Sequence, residues 1–260
     1  MPNIEKGTVS GGVDFTNIHP WSPTDAANGN RGNITYKIPA TATDIKSAYV
    51  FVNIYSGSVN ADTYGLRSNI TLTTSDSTVL LGCEDLTFSG NQQDDDTVYI
   101  INDHTTKVYS DYMMFYNVTD LLQGLSGTSV SVDVLSYPMK GKSFDGRIKL
   151  ISLFVAWEDG DSDEIDYWLN AGQAWTNDVT YGKSHTFEGI DYEDFGSGDK
   201  QAILINVAAS SADAFYSING QPFFSENEAD EYKSGAYYQY HKWDVSNYID
   251  SDALEVSYAA

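Results

Sequence analysis

The sequence predicts an all-β protein of two tandem antiparallel β-sandwiches, jelly-roll-like, each with a short helical turn. Three observations support this class: many short runs alternate apolar and polar residues, turn residues separate them, and helical signals are few and short. Aromatic residues make up 13% of the chain and are led by 19 Tyr, which suits a half-buried pleated surface. Hydrophobic residues make up 41%, enough for a buried core.

The predicted strands of the first half follow one another closely along the chain. The clearest alternation places Val130, Val132 and Val134 on one face of a strand and polar residues on the other. Turn-forming pairs such as Ser56-Gly57 separate the runs. The runs, with their first residues, are NITYKIP (Asn33), SAYVFVNIY (Ser47), SNITLTT (Ser68), TVYII (Thr97), DYMMFYNV (Asp111), TSVSVDVLSY (Thr128) and RIKLISLFVAW (Arg147).

Two short helical turns reveal an internal repeat. They are predicted at Thr119–Gly124 and Asp244–Ile249, each after an aromatic-rich strand and before an alternating one. The segment SDYMMFYNVTDLLQGLSGTSVSVDV thus corresponds to SGAYYQYHKWDVSNYIDSDALEVSYA, with Thr119 and Ser246 as natural N-caps. Upstream, IKSAYVFVNIYSG and KQAILINVAASS occupy matching places. The pattern indicates a duplication.

The boundary between the sandwiches is predicted at the acidic segment EDGDSDEID, Glu158–Asp166, where the composition changes. Residues 1–158 would then form the first sandwich and residues 159–260 the second. Many strands, long returns and a helical turn before the last strand favour a jelly-roll-like topology over the immunoglobulin type. The Cys-Trp-Cys pattern of immunoglobulin domains is impossible with the single Cys83, which is expected to be a buried, inert thiol.

A series of motifs covers nearly the whole chain, in the order GTVSGGV, ITYKIP, IKSAYVFVNIYSG, SDYMMFYNVTDLLQG, LISLFVAWEDGD, IDYWLNAGQAW and YYQYHKWDVSNYI. In this order they resemble a recurring domain of unassigned function found in large adhesin-like cell-surface proteins of methanogenic archaea. The resemblance implies an archaeal, extracellular, cell-wall-associated protein and carries over no catalytic or binding residue. The first half departs from the pattern, since it has no Asn-Gly turn to match Asn219-Gly220.

The charge of the chain disfavours several kinds of partner. The sequence has 14 Lys and Arg against 37 Asp and Glu, a net charge of -23. Such a field repels phosphate backbones and anionic lipid headgroups, so we expect no nucleic acid partner and no direct membrane insertion. A single cysteine allows no intramolecular disulfide, which favours a prokaryotic cell surface. Both ends of the chain suggest a fragment of a larger extracellular protein.

Aromatic residues near the end of the chain are the candidate ligand-binding groups. The candidates are Tyr238, Tyr240 and Trp243, which stand in a dense cluster with Tyr237. Rings exposed on one face of a strand are how β-sandwich modules stack on sugars. The alternative is that these rings pack under loops.

Alternating carboxylates suggest a site for a hard cation, and Ca²⁺ is the only cofactor that the sequence suggests. Glu164 stands where an EF-hand has its turn glycine and Asn170 replaces the bidentate Glu, so this is not an EF-hand. A looser oxygen site and a simple acidic linker are the two alternatives. Asp94–Asp96 form a second acidic run. The candidate metal ligands are Asp159, Asp161, Asp163 and Asp166.

Three Asn-x-Ser/Thr sequons, at Asn33, Asn69 and Asn117, are candidate glycosylation sites, with an ordinary strand Asn as the alternative for each. None of the 4 His shares a metal-ligand spacing with another, and His104 is expected to pack with one hydrogen-bonded edge. No G-x-S-x-G elbow and no glycine-rich phosphate loop occurs, so we expect no enzyme.

The predicted function is an extracellular adhesin-like module that mediates cell-surface attachment by recognising a glycan or protein of another cell. Its acidic, all-β, duplicated character and the family resemblance motivate this prediction. One alternative is a structural stalk or spacer module with no ligand of its own. A carbohydrate-active enzyme on a jelly-roll scaffold is the least favoured alternative.

Overall fold

The computed structural model describes residues 3–20, 29–57, 64–87, 97–173, 183–197, 200–209, 215–225, 231–233 and 238–259. Strands account for 64% of these described residues, which confirms the predicted all-β class. The chain divides into two compact units, Pro2–Gln173 and Ala174–Ala260. Within the described residues, no helix is both long enough and apolar enough to cross a membrane.

The strands of the first unit pair as one long hairpin rolled over on itself. Its strands are β1 (Asn3–Val9), β2 (Gly12–Ile18), β3 (Asn30–Lys37), β4 (Asp44–Tyr55), β5 (Gly65–Thr73), β6 (Thr78–Thr87), β7 (Tyr99–Ile100), β8 (Thr105–Val108), β9 (Asp111–Asn117), β10 (Ser129–Pro138), β11 (Arg147–Glu158) and β12 (Ile165–Asn170). The helical turn α1 spans Thr119–Leu122. β2 pairs with β11, β3 with β10, β4 with β9 and β5 with β6, all antiparallel.

Rolling this hairpin brings β11 beside β4 and β10 beside β5. Two sheets result, with the orders β2-β11-β4-β9-β8-β7 and β3-β10-β5-β6. Nested pairing of strands across two facing sheets is the jelly-roll arrangement. The predicted jelly-roll-like sandwich is therefore confirmed.

An aliphatic core fills the space between the two sheets. Alternate residues of β3 are buried from Asn30 to Tyr36, as its period-2 pattern requires. Val130, Val132 and Val134 of β10 are 1%, 0% and 0% exposed, on the face that the sequence predicted. They pack in one cluster with apolar residues of β4, β9 and β11 from the facing sheet.

A third layer covers the outer face of the six-stranded sheet. β1 pairs with β12, and Val9 and Tyr167 from this pair pack against Phe51 and Phe154 of the sheet. Both faces of β4 and β11 are therefore covered, which explains why these strands are continuous apolar runs rather than alternating ones.

The pairing of β12 with β1 also places the segment after the acidic loop in the first unit. The structure divides the chain between Gln173 and Ala174, later than the boundary predicted at Glu158. The sequence could not show this, because β12 finds its partner at the opposite end of the unit.

The second unit repeats the strand order of the first. Its strands are β13 (Lys183–Glu188), β14 (Ile203–Ala209), β15 (Phe215–Ile218), β16 (Gln221–Ser225), β17 (Glu231–Lys233), β18 (Tyr238–Asp244) and β19 (Ala253–Ala259). Two 3₁₀ turns span Tyr192–Ser197 and Ser246–Tyr248. The orders β13-β19-β15-β16 and β14-β18-β17 match β3-β10-β5-β6 and β4-β9-β8. β2 and β11 have no counterpart among the described strands of this unit.

The hairpin turn is where the repeats differ most in sequence. Asn219 and Gly220 join β15 to β16 with φ values of 49° and 74°, the left-handed conformations of a tight hairpin. Between β5 and β6, Thr74 instead donates its backbone N–H to the carbonyl of Ser77 at 2.8 Å, and its hydroxyl accepts from the Ser77 N–H at 3.1 Å. A threonine turn thus replaces the missing Asn-Gly pair.

Candidate functional site

The turn after β9 fixes side chains that border the candidate site. The N–H of Val118 donates to the carbonyl of Ala48 at 2.9 Å, and Thr119 Oγ1 accepts from the Ala48 N–H at 2.9 Å. Asn117 Oδ1 accepts from the Thr119 N–H at 3.0 Å. The N-cap position belongs to Val118, so the prediction of Thr119 as N-cap was wrong. The hydroxyl of Thr119 accepts a hydrogen bond from the backbone of β4 instead.

The same corner follows β18 in the second unit. Val245 donates its N–H to the carbonyl of Ala202 at 2.8 Å, and the N–H of Ala202 donates to Ser246 Oγ at 2.9 Å. Asp244 Oδ1 accepts from the Ser246 N–H at 3.0 Å. Ser246 is therefore not an N-cap either, because Val245 holds that position. Bond for bond, Asp244 takes the place that Asn117 has in the first unit.

A shallow cavity of about 390 Å³, wide open to solvent, lies beside the first of these corners. Aromatic side chains come from two neighbouring strands, Tyr49 from β4 and Phe115 from β9, and both are half-buried. Polar groups come from the end of β9 and from the turn before β8. The lining residues are Tyr49, Leu81, Asp103, His104, Phe115, Tyr116 and Asn117. Rings beside a few fixed polar groups are typical of a ligand site.

His104 is held between two carboxylates in this cavity. Its Nδ1 lies 2.6 Å from Asp103 Oδ1, and its Nε2 lies 2.8 Å from Glu84 Oε1. Asn102 Nδ2 donates to the second oxygen of Glu84 at 3.1 Å and so orients it. Partial burial lowers the pKa of His104, but the hydrogen bonds to Glu84 and Asp103 outweigh it and raise the pKa above its ordinary value. A protonated His104 balances charge from the two carboxylates.

Tyr116 forms the back of the cavity and depends on a glycine. Its ring centroid lies 5.0 Å from that of His104. Its hydroxyl lies over Gly82, where an added Cβ would stand 2.1 Å from the oxygen. Strand pairing of β6 with β5 runs from Gly82 directly to Leu80, so Leu81 is the extra residue of a β-bulge. The bulge turns Leu81 towards the cavity.

Hydrogen bonds orient the polar edge formed by Tyr49 and Asn117. Asn117 Nδ2 donates to Tyr49 Oη at 3.1 Å. Burial, followed by the charge of Glu5, raises the pKa of Tyr49, so its phenol is neutral under physiological conditions. The hydroxyl of Tyr49 is therefore uncharged and already engaged by Asn117 and Glu5, and the amide of Asn117 is held in a fixed direction.

The predicted ligand-binding aromatics lie mostly in the interior of the second unit. Tyr238 is 1% exposed and Trp243 is 6% exposed, whereas Tyr240 is half-buried. Trp243 stacks on His241 with ring centroids 4.3 Å apart. Trp243 also meets Tyr216 of the other sheet in this unit, with ring centroids 5.3 Å apart, which accounts for its burial. Tyr238 and Trp243 therefore form no exposed stacking surface, and Tyr237 lies outside the described residues.

The structure brings three of the four predicted metal ligands together. Oxygen atoms of Asp159, Asp161 and Asp163 lie within 4.8 Å of one another, and the last two side chains are exposed. The hydrogen bond with the carboxyl of Asp163 raises the pKa of Asp161. Asp166 is separate, because its Oδ1 accepts from Thr8 Oγ1 at 2.6 Å. The second acidic run, Asp94–Asp96, lies outside the described residues.

The three sequons differ in accessibility. Asn33 is exposed on β3, an edge strand of its sheet. Asn69 is half-buried and accepts from Tyr137 Oη at 3.4 Å. Asn117 is exposed, but its amide is already bonded at both ends in the corner after β9. Asn33 and Asn117 are thus the two exposed sites, and the amide of Asn33 is also bonded at both ends, at 3.4 Å each.

Sequence reasoning missed the cavity around His104. It assigned His104 a packing role and gave no role to Glu84, which lies 20 residues away on another strand. It also expected Cys83 to be buried, whereas the thiol is exposed on β6. The bulge beside Gly82 shifts which residues of β6 face inwards, and no sequence pattern shows it.

A family model described as "Protein of unknown function (DUF3344)" matches residues 1–260. The chain therefore belongs to this family, which confirms the resemblance to a recurring domain of unassigned function. No curated protein sequence matches the chain.

Several solved structures are similar in outline at very low identity. Latent PorU from Porphyromonas gingivalis is 7% identical, with a TM-score of 0.32 over 99% of this chain and 19% of that chain. PNGase F, a glycosylasparaginase from Flavobacterium meningosepticum, is 11% identical, with a TM-score of 0.33 over 95% of this chain and 88% of that chain. Streptomyces avermitilis α-L-rhamnosidase is 12% identical, with a TM-score of 0.27 over 98% and 24%. At these scores the likenesses carry no argument about function.

Proposed function

We propose that this family member is an extracellular adhesin-like module that attaches a cell surface to a glycan or protein of another cell. From the resemblance of its motifs, we place it in a large surface protein of methanogenic archaea. The observation that supports recognition is the cavity between Tyr49, His104 and Phe115, where half-buried rings adjoin oriented polar groups. A spacer with no ligand has no need of such an arrangement.

The bonding of His104 favours binding over catalysis. Both ring nitrogens face carboxylates, at 2.6 and 2.8 Å, so neither is free to accept a proton from a substrate. Glu84 is in turn held by Asn102, which fixes it towards the histidine rather than towards the cavity. A glycosidase needs two carboxylates facing the scissile bond, and here Glu84 and Asp103 both face one imidazole.

The net charge of -23 is consistent with display on a crowded surface. It keeps the module soluble and repels anionic polymers, so an uncharged or basic partner surface is favoured. Both units are built from antiparallel sheets, which suits the presentation of a site on a cell surface.

Attachment is tested with the whole chain, labelled and applied to a panel of intact cells and to a glycan array. We expect saturable binding to at least one cell type that unlabelled chain displaces. Absence of binding to every cell and glycan would favour the spacer alternative. Release of a reducing sugar during incubation with bound glycans would instead favour the carbohydrate-active enzyme.

A further inference from the structure

We infer that the cavity of the first unit binds an uncharged sugar ring, and that the matching surface of the second unit does not. This inference rests on the proposed recognition function and adds the site and the chemical class of the ligand. It depends on four groups with separate tasks: the rings of Tyr49 and Phe115 and the polar side chains of Asp103 and Asn117.

The apolar part of the site is made by Tyr49 and Phe115. In the pairing of β4 with β9, Tyr49 is opposite Asn117 and Phe51 is opposite Phe115, so Tyr49 and Phe115 are diagonal neighbours. Diagonal side chains on adjacent strands are within reach of one another when they are aromatic. Both rings also pack against the apolar cluster beneath the third layer, so the surface they leave for the C–H face of a sugar is their half-buried outer part.

The polar part of the site can hydrogen-bond to hydroxyl groups. The side chain of Asp103 is 90% exposed, and His104 engages only its Oδ1, which leaves Oδ2 for a ligand hydroxyl. Asn117 Nδ2 carries two hydrogens and uses one towards Tyr49, so it has one more to donate. An acceptor and a donor beside a pair of rings match the alternating hydroxyl and C–H surfaces of a sugar.

The charges around the cavity favour an uncharged ligand. An anionic sugar would approach the exposed carboxylate of Asp103 on a chain of net charge -23, which is unfavourable. A cation would find Glu84 and Asp103 already hydrogen-bonded to His104, whose raised pKa keeps it protonated over a wider pH range. A neutral hexose or N-acetylhexosamine is not repelled by Asp103 and does not need a free carboxylate as a counter-charge.

The second unit provides an internal control, since the same corner carries other side chains. Ile203 is opposite Asp244 in the pairing of β14 with β18, as Tyr49 is opposite Asn117. By the same register, Lys242 takes the place of Phe115. An aliphatic residue and an exposed lysine replace both rings, so this surface lacks the stacking pair.

The test measures binding of the whole chain to neutral hexoses, N-acetylhexosamines, uronic acids and amino sugars by titration calorimetry. We expect binding to a neutral sugar, about tenfold weaker in Phe115→Ala and unchanged in the matched variant Lys242→Ala. Asp103→Ala, at a side chain that is 90% exposed, should weaken binding without loss of fold. It serves as the second site variant if Phe115→Ala fails to fold.

Two results would overturn the inference while leaving the proposed function intact. One is undiminished sugar binding in folded Phe115→Ala or Asp103→Ala, which would place the site elsewhere. The other is attachment of the chain to cells with a preference for uronic acids or amino sugars over neutral sugars. Absence of binding to all sugars and all cells would remove both the inference and the proposed function.

Discussion

The two units share a strand order and a corner, yet their interiors differ in chemistry. The interior of the first is mainly aliphatic, with Tyr36, Tyr112 and Tyr116 among its buried residues. The second contains Tyr216, whose ring contacts His241, Trp243 and Tyr258 at centroid distances of 4.9, 5.3 and 5.4 Å. Both units therefore keep the alternation of apolar and polar residues along their strands and the hydroxyl at the corner, whereas the residues that fill their interiors differ.

Polar groups in the two interiors are satisfied by different means. In the second unit, Tyr216 Oη donates to Gln239 Oε1 at 2.7 Å and accepts from Asn206 Nδ2 at 3.2 Å. In the first unit, Lys149 Nζ meets the carboxylate of Asp111 at 3.0 Å, with both side chains largely buried. The second unit thus contains a neutral network and the first a buried ion pair, at positions that do not correspond. The ion pair is the more sensitive of the two, because removing one partner leaves an uncompensated charge.

The largest effect is therefore expected from Lys149→Met. It leaves the carboxylate of Asp111 buried without its amine, and we expect a loss of about 3–5 kcal/mol in the free energy of unfolding. Urea unfolding followed by tryptophan fluorescence measures it. The double variant Lys149→Met with Asp111→Leu should recover most of the loss. A single variant as stable as the parent would show that the ion pair does not stabilise the first unit.

A smaller and matched pair of effects is expected at the two corners. Thr119→Val and Ser246→Ala each remove the acceptor of a backbone N–H, from Ala48 and from Ala202. We expect each to cost about 1 kcal/mol in unfolding free energy. Thr35→Val is the control, since Thr35 is exposed and its hydroxyl bond is long at 3.4 Å. Unequal losses would mean that the two corners share their geometry but contribute differently to the free energy of unfolding.

The sequence predicted well those features whose residues are close together along the chain, and poorly those whose contacting residues are far apart. The jelly-roll-like sandwich and the repeat were predictable, because period-2 patterns such as that of Val130–Val134 are local. The third layer was not predicted, although the continuous apolar run of β11 indicates burial on both faces.

The site was harder to predict than the fold, for a related reason. Glu84 lies on β6 and His104 in the turn before β8, and the β-bulge beside Gly82 leaves no pattern in the sequence. Tyr238 and Trp243, which were predicted to form a binding face, are buried, and Trp243 packs against Tyr216 of the other sheet in its unit. The dense aromatic cluster thus contributes to a core, while the half-buried rings of Tyr49 and Phe115 were not among the predicted candidates.

The stability of the first unit is also expected to depend on pH, because His104 is held between two carboxylates. Because its pKa is raised on folding, its contribution is present in full below the ordinary value of about 6.5. It is lost as the pH rises through the higher, folded-state pKa. The melting temperature of the parent should therefore fall relative to that of His104→Gln as the pH increases from about 6.5. A constant difference over this range would show that the carboxylates do not hold a protonated imidazole.

The smallest effect is expected at the acidic segment after β11, a strand with no described counterpart in the second unit. If Asp159, Asp161 and Asp163 bind Ca²⁺, millimolar Ca²⁺ should raise the melting temperature slightly relative to EGTA, since a ligand stabilises only by its affinity for the folded state. Asp161→Asn should abolish the shift. Asp166→Asn should leave it, because that carboxylate is engaged by Thr8. Equal melting temperatures in EGTA and Ca²⁺ would make the segment an acidic linker whose carboxylates are solvated and bind no cation.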